Sequence, residues 1–189
     1  MATNEVKLGI GSESGMFFHA PAGTALPTYP TETLASAWEE VGDVTGDGIT
    51  QASDMSVENL RSWANVIKRV IKSEHTETIQ VPIMDTTEEV FKVVLGEDAV
   101  ETTPATTTHG KLVTADLSKG TLPPPEAFLF LMKDGDDVMA IGCTKGQITA
   151  LENVSFAPNA GITWTPTITA LEGGWKILME EGVPDESES

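Results

Sequence analysis

The sequence predicts a mainly β protein, an antiparallel sandwich or barrel carrying one short packed helix. Three observations lead there. Beyond Pro125 the chain becomes a succession of apolar runs broken by Gly/Asp turns, opening with Ala127–Met132 and Val138–Ile141 around Asp134-Gly135-Asp136-Asp137, a good hairpin pattern. Two other stretches alternate strictly: Ile79, Val81 and Ile83 against Thr78, Gln80 and Pro82, and Ile162, Trp164, Ile168 and Ala170 against Thr163, Thr165, Thr167 and Thr169. The clearest helical period is confined to 86–95, where Val90 and Val94, then Phe91 and Leu95, repeat at i, i+4. A helix of two to three turns cannot bury a core alone, so it packs on a sheet.

Taken in order, the N-terminal region holds two short strand candidates, Val6, Leu8 and Ile10 in alternation and then Met16–Ala20. A semi-extended loop over 21–36 follows, marked by Pro21, Pro27 and Pro30. The stretch 43–65 reads as a second long loop, or over 53–63 as a helix capped at Ser53 or Ser56. Val66–Lys72 has β-branched strand character. Glu77–Met84 is a clearer strand, placed at an edge or a bulge because Pro82 lacks a ladder donor. The helix 86–95 opens on a capping box, Thr86 with Glu89 or Asp85 with Glu88, and Gly96 stands at the C′ position. Residues 97–125 read as a third long loop with one strand, Lys111–Thr114, and the rigid run Pro123-Pro124-Pro125. Gln147–Glu152, the alternating stretch to Ala170 and Trp175–Met179 complete one domain over 1–179. Residues 180–189 are expected to be an acidic, disordered tail.

The length, 189 residues, suits one domain with a real core, and 40% hydrophobic content suits a globular chain. No apolar run approaches the roughly 18–20 residues that span a bilayer, and the first residues lack the basic and apolar regions of a signal peptide. No membrane partner is expected, and synthesis in a cytoplasm is. The net charge of −18 disfavours a tight nucleic-acid binder, because the surface repels phosphates. The single cysteine, Cys143, lies in a strand-like run and is expected to be a small core hydrophobe.

No nucleophile elbow, phosphate loop, dinucleotide glycine pattern or zinc helix is present, and His19, His75 and His109 fall in unrelated segments as expected surface or turn residues. The chain is therefore not read as an enzyme, and no cofactor is implied. One pattern competes. Asp43, Thr45, Asp47, Gln51 and Asp54 supply oxygens in a 12-residue run with Gly48 at its sixth place, which approximates a calcium loop and half of a dockerin repeat. Its last ligand is Asp in place of a bidentate Glu, and no second copy exists. A calcium-dependent or carbohydrate-binding β-sandwich is the alternative this loop supports; a plain Gly/Asp turn is the simpler expectation.

The order of landmarks from Met16 to Met179 resembles the tail tube (major tail) proteins of long, non-contractile-tailed phages. The resemblance rests on Met16–Thr28 as an opening strand and loop, on Trp38, an acidic turn, Trp63, Arg69, the alternating strand and the short helix, and on the ending of Pro-led strand, Asp/Gly hairpin, Gly146-linked strand and alternating strand to Leu171. It implies a tail-tube-like β subunit forming hexameric rings that stack on a tape-measure protein, joined to tail tip and tail terminator proteins. The tube conducts the genome, and DNA passes its lumen without specific binding. The expected location is the virion tail. Within the long 43–65 segment, Asp54, Glu58, Arg61 and Trp63 are the candidate contacts with a neighbouring subunit or the next ring.

Overall fold

Extended segments need partner strands for their backbone N–H and C=O groups, and among the described residues the chain supplies ten strands and one α-helix. A computed structural model describes residues 9–11, 16–118 and 122–182. The strands are β1 (Phe17–Pro21), β2 (Glu39–Glu40), β3 (Thr50–Arg61), β4 (Ile67–Gln80), β5 (Val100–Thr103), β6 (Leu112–Ala115), β7 (Glu126–Asp134), β8 (Asp137–Leu151), β9 (Pro166–Ala170) and β10 (Lys176–Glu180), and the helix α1 spans Glu88–Leu95. All pairings are antiparallel. One eight-stranded sheet runs β2-β1-β7-β8-β9-β4-β3, with β10 as a second neighbour of β8, and β5 pairs with β6 separately. The main sheet is open: it does not close into a barrel.

Strand β8 organises the sheet. One of its edges pairs with β7 from Asp137 to Gly146. The other is shared end to end, by β9 along Gly146–Leu151 and by β10 along Val138–Gly142. The separate strand expected at Gln147–Glu152 is thus the second half of one 15-residue strand. Gly146 makes this possible: a Cβ there would lie 2.9 Å from Cys143 Sγ and 3.0 Å from both Ile168 Cγ2 and Phe128 Cδ2.

The central strands are buried on both faces, which explains why Ala127–Met132 is continuously apolar. Phe17, Phe128, Phe130, Cys143, Ile148 and Ile168 face one core, closed by Val90, Val93 and Val94 of α1. Phe18, Ala20, Ala127, Leu129 and Ala140 face a second, closed by Trp38, Leu26 and Leu34 from the Pro-rich loop. Phe17 stacks on Phe130 with ring centroids 4.6 Å apart. Cys143 is a core residue, as expected, and burial pushes its thiol up to about 11.

Several sequence expectations are corrected in detail. The N-cap of α1 is Thr87, whose Oγ1 accepts from Val90 N at 3.3 Å, one or two residues later than the proposed boxes. Thr86 Oγ1 is instead occupied by Trp164 Nε1 at 3.2 Å. Strand β4 merges the two strands expected at Val66–Lys72 and from Glu77, and it ends at Gln80, before Pro82, whose carbonyl accepts from Thr45 N at 2.8 Å. The 97–125 loop is partly ordered by β5, which Lys111–Thr114 needs as a partner. Trp164 makes only an isolated bridge, to Ile83, so the alternating stretch becomes a strand at Pro166. Val6 and Leu8 and most of the 180–189 tail lie outside the described residues; Glu180 itself closes β10.

Candidate assembly surface

Residues 43–65 hold no helix, and beyond Ile49 they form a strand and the turn that follows it. Twelve of them form β3, whose polar sequence gives little strand preference by itself. Its partner supplies it: Ile67, Val70 and Ile71 make β4 strongly β-prone, and β3 pairs along it from Thr50↔Gln80 to Arg61↔Ile67. The ribbon turns at Ser62–Val66, where Asn65 adopts φ 58° and donates its N–H to Ser62 O at 2.8 Å, while Arg61 Nη1 donates to Asn65 O at 3.2 Å.

Only the base of this hairpin belongs to the body. Among the described residues, β4 pairs with the body only through β9 at Thr78–Gln80, and β3 pairs with β4 alone. From Thr50 to Thr76 nearly every residue is exposed. At about 3.3 Å per residue, the free part reaches roughly 35 Å beyond the sheet. We call it the arm.

The arm's exposed surface is unusual. Met55, Val57, Leu60, Val66, Ile67, Val70 and Ile71 are all open to solvent, and Trp63 at the turn is 106% exposed. Two register shifts, at Ser56/Val57 and Leu60/Arg61, set Ser73 and Lys68 out of the ladder and re-aim the side chains. Directly paired residues share a face, so Met55, Val57, Val70 and Ile67 lie on one face with Lys72 and Arg61. Leu60 and Ile71 lie on the other with Asp54, Glu58, Glu74 and Arg69. An isolated two-stranded ribbon of this kind is marginal in water, and apolar side chains so concentrated mark an interaction surface.

The four candidate contacts are therefore all on the arm, though not on one face of it. Asp54 and Glu58 share a face, Arg61 points to the opposite one, and Trp63 crowns the turn. Sequence reasoning missed the other half of the surface, Val66–Lys72. Its signal was present: a β-branched run carrying Lys68, Arg69 and Lys72 and no acid.

The calcium pattern is not assembled. Asp54 lies within β3 opposite Thr76, Asp43 N is held by Asp85 Oδ2 at 2.7 Å, and Gly48 N closes a turn on Thr45 O, so among the described residues Asp43, Asp47 and Asp54 do not converge. Among those residues, the one group of histidine and carboxylates close enough to share an ion is His19, Glu39 and Glu89, with ligand atoms within 4.8 Å of one another. His19, expected at the surface, is largely buried. Its Nδ1 lies 3.0 Å from Glu126 Oε2 and its Nε2 3.5 Å from Glu89 Oε1. Burial works against its charge, but the hydrogen bond and charge of Glu126, with Glu89 and Glu39, outweigh it and raise the imidazole above its usual value. The cluster is a structural ion pair joining β1, β7 and α1.

Among the described residues, an open sheet carries a projecting two-stranded arm with apolar side chains exposed. The family model described as phage tail tube protein matches residues 1–180. The chain belongs to the phage tail tube protein family. That family is structural and places the chain in the virion tail. No curated protein matches the chain. Among solved structures, one match is the tail of an empty GTA particle determined by helical refinement with C6 symmetry. It is 7% identical, with a TM-score of 0.43, over 87% of this chain and 96% of that one.

Proposed function

We propose that this tail tube protein polymerises through its arm into stacked hexameric rings, forming the conduit through which the genome leaves the virion. The observation that carries this reading is the arm itself, a ribbon roughly 35 Å long whose apolar side chains have no cover among the described residues. The open ends of the sheet, β3 and β2, are further templates for pairing with other copies. Contacts between different patches on identical chains are heterologous: they close into rings where the rotation allows and run on as open filaments where it does not.

In this reading the subunit is made in the host cytoplasm. The rings enclose a tape-measure protein and end on tail tip and terminator proteins. The net charge of −18 gives a bore that repels phosphates, so DNA moves through without being held. Negative-stain images of the purified full-length chain test the assembly: rings and tubes are expected, and a chain that stays monomeric with tape-measure and tip proteins supplied would overturn it. A bore lined by Lys and Arg in a reconstruction of the tube would overturn the lumen assignment.

A further inference from the structure

Three of the five described lysines outside the arm answer the chain's own acids. Lys92 is paired with Glu88 and Glu89, Lys111 with Glu88, and Lys145 with Glu172. The arm is different. Arg61, Lys68, Arg69 and Lys72 are four of the chain's 11 Lys and Arg residues, and Glu58 is the only acid between Val57 and Lys72. The side chains of Lys68, Arg69 and Lys72 have no ion pair or hydrogen bond among the described residues. The arm's outer half is a cationic, apolar ribbon on a chain that is otherwise strongly anionic.

The body carries a surface of the opposite kind. Strands β9 and β10 occupy successive stretches of the same edge of β8. Strand β4 runs beside β9 up to Thr78 and then leaves as the arm, its departure marked by Glu77 Oε2, which accepts from Trp175 N at 2.9 Å. Among the described residues no strand takes the place beside β10 that β4 would fill had it continued, and β10 pairs with β8 alone. That edge exposes Ile177 (67%) and Met179 (51%) on the face that also carries Met139 and Ile141. Its end is acidic: Glu180 and Glu181 close the strand, and Asp136 stands in the adjoining β7–β8 turn.

We propose that the open edge and apolar face of β10 receive the arm of a second copy of this chain. Val57, Ile67 and Val70 lie against Ile177 and Met179, and Lys68, Arg69 and Lys72 meet the acids at the end of β10. This deepens the assembly reading above and rests on it. Both surfaces are exposed, apolar and only half supplied with backbone partners, and the arm's cations are opposite in charge to the acids at the end of β10, whose start carries Lys176. The contact is heterologous, because donor and acceptor are different parts of one chain, and so it propagates.

Cross-linking between separately made chains tests it. Cys143 is buried and its thiol is held mostly protonated, so it stays unreactive. Chains carrying Val70→Cys are mixed with chains carrying Ile177→Cys, or Met179→Cys for a second register, assembled, and mildly oxidised. A disulfide-linked dimer between the two variants is expected, in about tenfold excess over the same arm variant mixed with Leu117→Cys on another exposed part of the body. A second arm neutralises the charge: Lys68→Gln/Arg69→Gln/Lys72→Gln is expected to assemble about tenfold more slowly at low salt and to lose most of the salt dependence of the native chain. Tubes that form with no dimer above the Leu117→Cys control would overturn the β10 assignment while leaving tube assembly standing. Absence of any polymer from the native chain would overturn both.

Discussion

Single residues decide how tightly this sheet closes. Gly146 sits where three core atoms converge, and no side chain fits without moving Cys143, Ile168 or Phe128. Gly146→Ala is expected to cost about 1–3 kcal/mol by overpacking, read as a lower denaturant midpoint with an unchanged slope. His19 makes the fold pH-sensitive through the carboxylates around it, Glu126 from β7, Glu89 from α1 and Glu39 from β2. The folded imidazole titrates above its unfolded value of 6.5. Its contribution is therefore fully present below pH 6.5 and is lost as pH rises through the folded value. Melting temperatures taken across this window are expected to fall with pH more steeply for the native chain than for His19→Gln. Equal slopes would show that the ion pair does not contribute. Histidines are legible in a sequence as residues, but His19 gains its role only because β1, β7 and α1 meet around it.

At the scale of elements, α1 was legible and the arm was not. The i, i+4 repeat of Val90 and Val94 and the following Gly96 are local, and they mark the helix wherever it packs. The cap differs by one or two residues because Trp164 takes Thr86, leaving Thr87 to hold Val90 N. Thr87→Ala is expected to lower stability by about 1 kcal/mol, measured by thermal or urea unfolding. Strand β3 has no such local mark. Ser53 and Ser56 suit a helix N-cap as well as a ribbon, and the choice falls to β-branched residues in β4. Because the arm buries so little within the chain, Trp63→Ala and Val70→Ser are expected to leave unfolding unchanged within about 0.5 kcal/mol while abolishing or slowing tube formation. A large loss of stability in the isolated subunit would show that the arm packs on its own body.

At the scale of the molecule, the body and the arm are separable. No residue of the two cores lies between Thr50 and Thr78. Ser53 and Glu77 face each other across the ribbon's base. Replacing residues 54–76 with Asn-Gly, a two-residue hairpin connection, is expected to give a folded, monomeric body that forms no tubes. Sedimentation and a cooperative melt would check both halves of that statement. Aggregation or loss of the melt would mean that the arm is needed for the subunit to fold.

The sequence by itself determined the β class, the helix, the hairpin at Gly135, the burial of Cys143 and the acidity, because each depends on residues a few positions apart or on composition alone. It also carried the order of landmarks that resembles a tail tube subunit. Only the tertiary structure decided that 50–61 is a strand, that the side chains of Lys68, Arg69 and Lys72 on a projecting ribbon have no partner among the described residues, and that none of those residues forms a strand beside the outer edge of β10. Those facts depend on which distant segments pair. A polar strand is defined by the partner it finds, and an open edge by the partner that turns away.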